Sequence, residues 1–293
     1  LYASGDAFSE MIGGVAGPLP RSNPMAAVRS RGEIDLAFRH DIRRTAAFRS
    51  YQAGCLRLRL PRRHADERPE AVLINTSGGI ADGDRLAQRV AWGEATAATV
   101  ASQAAEKVYR ATGDGSAIAT RLEVEAGADA EWLPQETILF DRARLRRDMQ
   151  VRMAESAQFL GVEAIVLGRT AMGEQMREGL LDDRWRVWRG GRLVFADALR
   201  LAGPVESLMR RRALGAGARA MAMIVHVSSR AAALLGPVRE ALGGAVGMAA
   251  ASAWNGILLV RLLAKDGAVL RHDLLLALGA LRGGRAMPRV WSC

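Results

Sequence analysis

Histidine and cysteine set the first limit on the chemistry this chain could carry. His40, His64, His226 and His272 stand far apart, and none lies within five residues of another histidine or cysteine. No CxxC, HxH or HExxH occurs, so the sequence offers no closed imidazole–thiolate site for zinc or nickel. A metal ion meeting this chain would be held loosely, by carboxylate, carbonyl and water oxygen. His226 sits in the apolar run Met221 to Val227 and reads as a satisfied core residue. Cys55, between Gly54 and Leu56, reads as a buried structural thiol. Nucleophilic chemistry has no GxSxG elbow to rest on. The stretch from Thr76 to Asp84, TSGGIADGD, is glycine-rich but lacks the lysine and spacing of a Walker loop. Its plain reading is a long turn between strands Ala71–Asn75 and Leu86–Trp92. The functional alternative is a loop that lines a path or contacts a partner.

Carboxylates are the more informative group. Glu131, Glu136 and Asp141 fall within the apolar segment EWLPQETILFD, and Glu163 and Glu174 have similar surroundings. A carboxylate in such a setting must point outward or find a partner, because burying it unpaired is costly. Glu136 and Asp141 could in principle serve as paired acid and base in a β-stacked carbohydrate-active enzyme. That reading requires a groove rich in exposed aromatics, and only 5% of the chain is aromatic. The net charge of +10 allows an acidic partner. It equally reflects heavy use of arginine. A basic nucleic-acid-binding module is the third reading. Arg142, Arg144, Arg146 and Arg147 form one cluster and Arg210 to Arg212 another, but neither carries interleaved aromatics to stack on bases.

The elements that must position these groups read as mostly β. Ile34, Leu36 and Phe38 alternate with polar residues, as do Leu56, Leu58 and Leu60. The same period appears at Ile118, Leu122 and Val124, and at Leu145, Met149, Val151 and Met153. Alternation of this kind places one face on a core and the other in water. Trp185 and Val187, then Leu193 and Phe195, flank Arg189-Gly190-Gly191-Arg192, which predicts a tight hairpin. Helices are expected only in the last third, at Ser229–Leu242 with a kink or a break at Pro237 and at Asp273–Leu281. These helices and the apolar strand between them, Ile257 to Leu263, are expected to help form a large partner-facing surface. No internal repeat of fixed period is visible. Residues 1–30, with Gly13-Gly14, Pro18, Pro20 and Pro24, read as a flexible lead-in, within which Met25 is an alternative start. Residues 31–293 read as one domain. No run approaches the ~18 apolar residues of a membrane span. The two cysteines, Cys55 and Cys293, give no disulfide framework, and a cytoplasmic location is expected.

Four ordered blocks resemble the UreD (UreH) family of urease accessory proteins. AVLINTSGGIADGDRL carries Gly78, Gly79, Gly83, Asp84 and Arg85. SQAAEKVYRATG carries Lys107, Tyr109 and Arg110. EWLPQETILFDRA carries Trp132, Pro134, Gln135, Glu136 and Asp141. LGRTAMGE carries Gly168, Arg169, Gly173 and Glu174. The ending MPRVW is similar too, and the resemblance covers about residues 32 to 291. Ala81-Asp82 departs from the family's usual pair and adds a carboxylate. The resemblance implies a stacked, twisted, β-helix-like arrangement of strands with a few C-terminal helices. It implies a non-enzymatic chaperone that binds UreF, and through it UreG, as a dimer of heterotrimers joined through UreF. It further implies docking on the urease apoprotein, with nickel in transit and no tightly bound cofactor. On that footing Asp84, Glu136, Asp141 and Glu174 are expected to line or flank a polar nickel passage. The alternative is that they pair with Arg85, Arg142 or Arg169 and hold loops in place.

Overall fold

The computed structural model describes residues 29–41, 44–62 and 67–292. All but the end of the expected lead-in, together with Met25, His64 and Cys293, lies outside the described residues.

The alternating runs become strands of two stacked sheets. The first contains β1 (Arg31–Asp41), β2 (Arg44–Gly54), β5 (Arg85–Trp92), β8 (Ser116–Val124), β11 (Arg144–Met153), β13 (Gly179–Arg189) and β14 (Arg192–Gly203). Across that sheet the order is β14-β13-β11-β8-β5-β1-β2. The second contains β3 (Leu56–Arg59), β4 (Glu70–Asn75), β6 (Ala97–Ser102), β9 (Asp129–Leu133), β12 (Gln158–Leu167), β15 (Ala220–Val227), β16 (Met248–Trp254) and β17 (Ile257–Ala264). Two short strands, β7 (Glu106–Val108) and β10 (Thr137–Leu139), pair with each other, and β10 continues onto β12.

The chain alternates between the sheets as it climbs. β5, β8, β11 and β13 are parallel neighbours in one sheet, and β6, β9 and β12 in the other. This is the solenoid-like stack that the family resemblance implies, built without a fixed sequence period. Antiparallel hairpins close the stack: β1–β2 at one end and β13–β14 at the other. The latter turns at Gly190 and Gly191, both at positive φ (54° and 79°), as the diglycine signal requires.

Three layers result. Ile34, Leu36, Trp92, Leu122, Val151 and Trp185 of the first sheet pack against Val100, Trp132, Phe159 and Val225 of the second. The second sheet's other face meets α2 (Ala231–Leu242) and α3 (Gly267–Leu281) through Leu160, Val162, Ile224, Leu258, Leu270, Leu274 and Leu278. Covered on both faces, β12 and β15 are buried almost throughout rather than alternating, and apart from Gln158, Glu163 and His226 they are apolar.

The helices fall in the last third, with a short α1 (Val205–Arg210) before the two predicted ones. α2 contains Pro237, yet the helix runs through it. α3 begins six residues before the expected Asp273, because the Asp266 carboxylate caps it by accepting from Val269 N at 2.9 Å. The strand Ile257 to Leu263 is corrected as well. It is hydrogen-bonded between β15 and β16, with Leu258, Val260 and Leu262 buried under the helices. Its hydrophobicity therefore serves the core and not a partner-facing surface.

Candidate functional site

Between the two sheets lies a cavity of about 300 Å³. Its lining runs from exposed residues (Gly78, Gln103, Ala104, Lys107) to buried ones (Thr137, Glu163, Asp183). It therefore leads from the surface into the middle of the sandwich. The walls are mixed. Leu73, Leu86, Trp132 and Met149 are apolar, whereas Asn75, Gln88, Thr120, Gln135 and Glu106 are polar. A space of this size with several polar groups is roomy enough for ordered water.

The outer part is built by the glycine-rich turn. Ile80 N donates to Lys107 O at 2.7 Å and Tyr109 N to Ile80 O at 2.9 Å, which stitches the turn onto β7. Gly79 stands at φ 147°, and a Cβ there would lie 2.5 Å from the Tyr109 ring and 2.9 Å from Lys107 O. Asp84 is buried and accepts from Ser30 N at 2.7 Å and Ala81 N at 2.8 Å. Arg85 donates to Asp84 O and Gly115 O, both at 3.0 Å. Asp82, the unusual extra carboxylate, accepts from the amides of Gly113 at 2.7 Å and Gly115 at 2.9 Å. Burial opposes its ionisation, but these amides prevail and hold its carboxyl below the usual carboxylate range. Gly83 takes a positive φ of 87° between the two acids.

The four sequence blocks converge beside this turn. Tyr109 Oη donates to Gly78 O at 2.8 Å, and its ring meets Phe140 edge-on at 5.1 Å. Arg169 lies 4.4 Å over the Phe140 ring and donates to Glu174 Oε2 at 2.8 Å. Gly173 closes the turn between these two residues in a left-handed conformation, and Gly168 N donates to Leu139 O at 2.7 Å. Arg110 bridges to Ala143. Gln135 Nε2 donates to Gln103 O at 3.0 Å and Val290 O at 2.6 Å. Trp132 and Pro134 line the cavity itself.

Of the four acids expected along a nickel passage, none is among the cavity-lining residues. Asp84 secures the turn. Glu136 faces Arg271 at 3.5 Å. Asp141 accepts from the amides of Arg177 at 2.7 Å and Glu178 at 3.1 Å. Glu174 is paired with Arg169, whose hydrogen bond draws its carboxyl below the usual range. Glu136 and Asp141 flank opposite ends of β10, each with its own partner, so no acid–base pair facing a common groove is formed. Among the described residues no three His, Cys, Asp or Glu side chains come together as a metal site.

The carboxylates that do line the cavity are Glu106, Asp148, Glu163 and Asp183. Burial opposes the charge on Asp148, but Arg186 and Arg121 donate to it and hold its carboxyl below the usual range. Glu106 accepts from Asn75 Nδ2 at 3.1 and 3.2 Å, and burial pushes its carboxyl up to about 7. Arg147 leaves the supposed surface cluster and turns inward. It donates to Glu163 Oε1 at 2.5 Å, Asp183 Oδ2 at 2.9 Å and Thr137 Oγ1 at 3.0 Å. Burial alone would lower the guanidinium's pKa, but the two carboxylates outweigh it and hold Arg147 charged. One arginine cannot neutralise both acids. Burial accordingly pushes Glu163 up to about 8 and raises Asp183 too, against the attraction of Arg147.

Arg147 and Asp183 were not singled out as site residues, although a signal existed. Each stands in phase with the buried face of its strand: Leu145, Arg147, Met149 and Val151 in β11, and Leu181, Asp183, Trp185 and Val187 in β13. His226 is buried in β15 as expected, and burial lowers its pKa.

The sequence pattern of the family described as UreD urease accessory protein matches residues 30–292. A UreD from Rhizobium etli is 46% identical over 264 residues, covering 90% of this chain and 96% of that protein. One from Xanthobacter autotrophicus is 50% identical over 241 residues, covering 82% of each. A UreD 1 from a Bradyrhizobium species is 44% identical over 265 residues, covering 90% of this chain and 94% of that protein.

Proposed function

This chain belongs to the UreD family of urease accessory proteins, which act in urease maturation, and we propose that its own part is to pass nickel toward the urease active site. In this reading it is a non-catalytic chaperone. It joins UreF and UreG, docks on the urease apoprotein, and gives the ion an enclosed polar route. The observation that carries the reading is the cavity between the sheets, which leads from exposed Gly78 and Lys107 to buried Glu163 and Asp183. Oxygen ligands and water hold nickel weakly, and weak multi-site binding lets an ion leave as well as enter. Asp84, Glu136, Asp141 and Glu174 then serve the route from behind, by fixing the turn and the β10 region that form its wall.

Ala105 lines the cavity near its rim. Full-length protein carrying Ala105→Trp, co-expressed with urease and the other accessory proteins, is expected to remain in the complex while nickel in the purified urease falls severalfold. Urease activity should fall in parallel. Nickel loading at wild-type level in an assembled complex would reject the cavity as the route.

A further inference from the structure

At the inner end of the cavity two carboxylates face one guanidinium in the interior of the sandwich. Asp183 is only 5% exposed, and its Oδ1 has no hydrogen-bond partner, whereas Oδ2 is taken by Arg147. Glu163 offers Oε1 to the same arginine. With both acids ionised, the triad carries one negative charge more than its arginine can balance. Such an excess is expensive away from water, so it must be met by a proton or by a cation. An oxygen without a donor, lining a polar cavity, is where a hydrated cation would find an acceptor.

We propose that Glu163 is a proton-exchange gate, which holds a proton while no metal is in the cavity and gives it up when a hydrated divalent cation enters. This rests on the reading that nickel passes through the cavity. The exchange is balanced without a redox partner. The O–H bond at Glu163 Oε2 breaks, the proton leaves through cavity water, and the carboxylate's charge is met by the aqua cation. No other covalent bond changes. Burial, which raises Glu163 to about 8, favours the protonated form near neutral pH.

The groups facing Glu163 are consistent with one exchangeable charge. Arg147 and Asp183 reach it from the first sheet. Glu106 and Lys107 of β7 lie in the same cavity wall, with Asp84 near Glu106, and so does Asp148 of β11, which is bonded to Arg121 and Arg186. Asp182 and Asp197 add negative potential around Asp183. Lys107 is exposed, so solvent screens it more than the buried acids. Asp148 has two arginines of its own, whereas at the triad two carboxylates stand against the single guanidinium of Arg147.

The test uses the full chain, nickel chloride as probe, infrared difference spectroscopy and proton counting in unbuffered solution. Near neutral pH the metal-free protein should show the carbonyl stretch of a protonated buried carboxyl, absent in Glu163→Gln. Nickel should abolish the band and release about one proton per bound ion. Glu163→Gln should release none and bind nickel several times more weakly. The proposal is overturned if the wild-type band is missing, if it persists with nickel bound, or if Glu163→Gln releases as many protons. These readouts need neither urease nor partners. A route blocked at Ala105 without effect on urease loading would reject the passage while leaving the exchange measurable.

Discussion

Glu131 and Glu163 are both buried carboxylates, and their surroundings push them in opposite directions. Burial opposes the charge on Glu131 as well. However, Arg68 lies near it, Arg282 donates to both its oxygens at 3.1 Å, and Arg285 and Thr99 add further donors. Its carboxyl is held below the ordinary range. Glu163 shares a single arginine with Asp183 and is raised instead. An acid raised in the folded state contributes stability that is complete below its ordinary value near 4.5 and is lost as pH climbs through about 8. Asp183 shifts in the same direction and adds to the slope. Glutamine is the neutral stand-in for protonated glutamate. It can still accept from Arg147 through its carbonyl oxygen. Glu163→Gln should therefore fold, and should flatten the decline of the unfolding midpoint between about pH 5 and about pH 9. Thermal melts across that window check it. An undiminished slope in the variant would show that Glu163 is ionised throughout.

Element by element, the turn before β5 is the piece most dependent on one residue. Gly79 is needed both for its φ of 147° and because the Tyr109 ring and Lys107 O occupy the space a Cβ would take. The carbonyl cannot retreat without breaking the bond from Ile80 N. Gly79→Ala is expected to cost about 1–3 kcal/mol and to loosen the turn from β7, and chemical denaturation would measure the loss. A neutral result would mean the turn is held from elsewhere. This turn was legible in the sequence, as were β1, β8, β11 and the β13–β14 hairpin, because each has one wet face or an obligatory pair of glycines. β12 was not, since FLGVEAIVL is buried on both faces and shows no period of two. The same blindness hid the cavity. Its acids come from strands spread along the chain, β7, β11, β12 and β13, and only the stacking of two sheets brings them into one wall. The four acids chosen from the motif blocks are claimed by other partners: Asp84 by the amides of Ser30 and Ala81, Glu136 by Arg271, Asp141 by the amides of Arg177 and Glu178, and Glu174 by Arg169.

Across the whole molecule, the C-terminal segment ties the helical layer to the sheet that carries the cavity. Trp291 is 3% exposed, and its Nε1 donates to Leu133 O at 3.0 Å. Arg271 of α3 lies 5.2 Å over its ring and also donates to its carbonyl. Next to it, Val290 O accepts from Gln135, a residue of the cavity wall, while Arg271 also donates to Gln135 Oε1 at 3.1 Å. The segment thus links α3, the end of β9 and the approach to β10 in one bonded group. Trp291→Ala removes the ring that fills this junction and should cost about 3–5 kcal/mol. Trp291→Phe keeps most of the bulk and forfeits chiefly the Leu133 bond, for about 0.5–1.5 kcal/mol. The order wild type, Phe, Ala in denaturant midpoint is the expected result. Because Gln135 shares the junction, the Ala variant should also increase hydrogen exchange at Gln135 N, which donates to Ser102 Oγ at 2.8 Å. Equal midpoints for the three proteins would mean that the segment lies on the surface without bracing the fold. A lowered midpoint with unchanged exchange at Gln135 would confine its role to the helical layer.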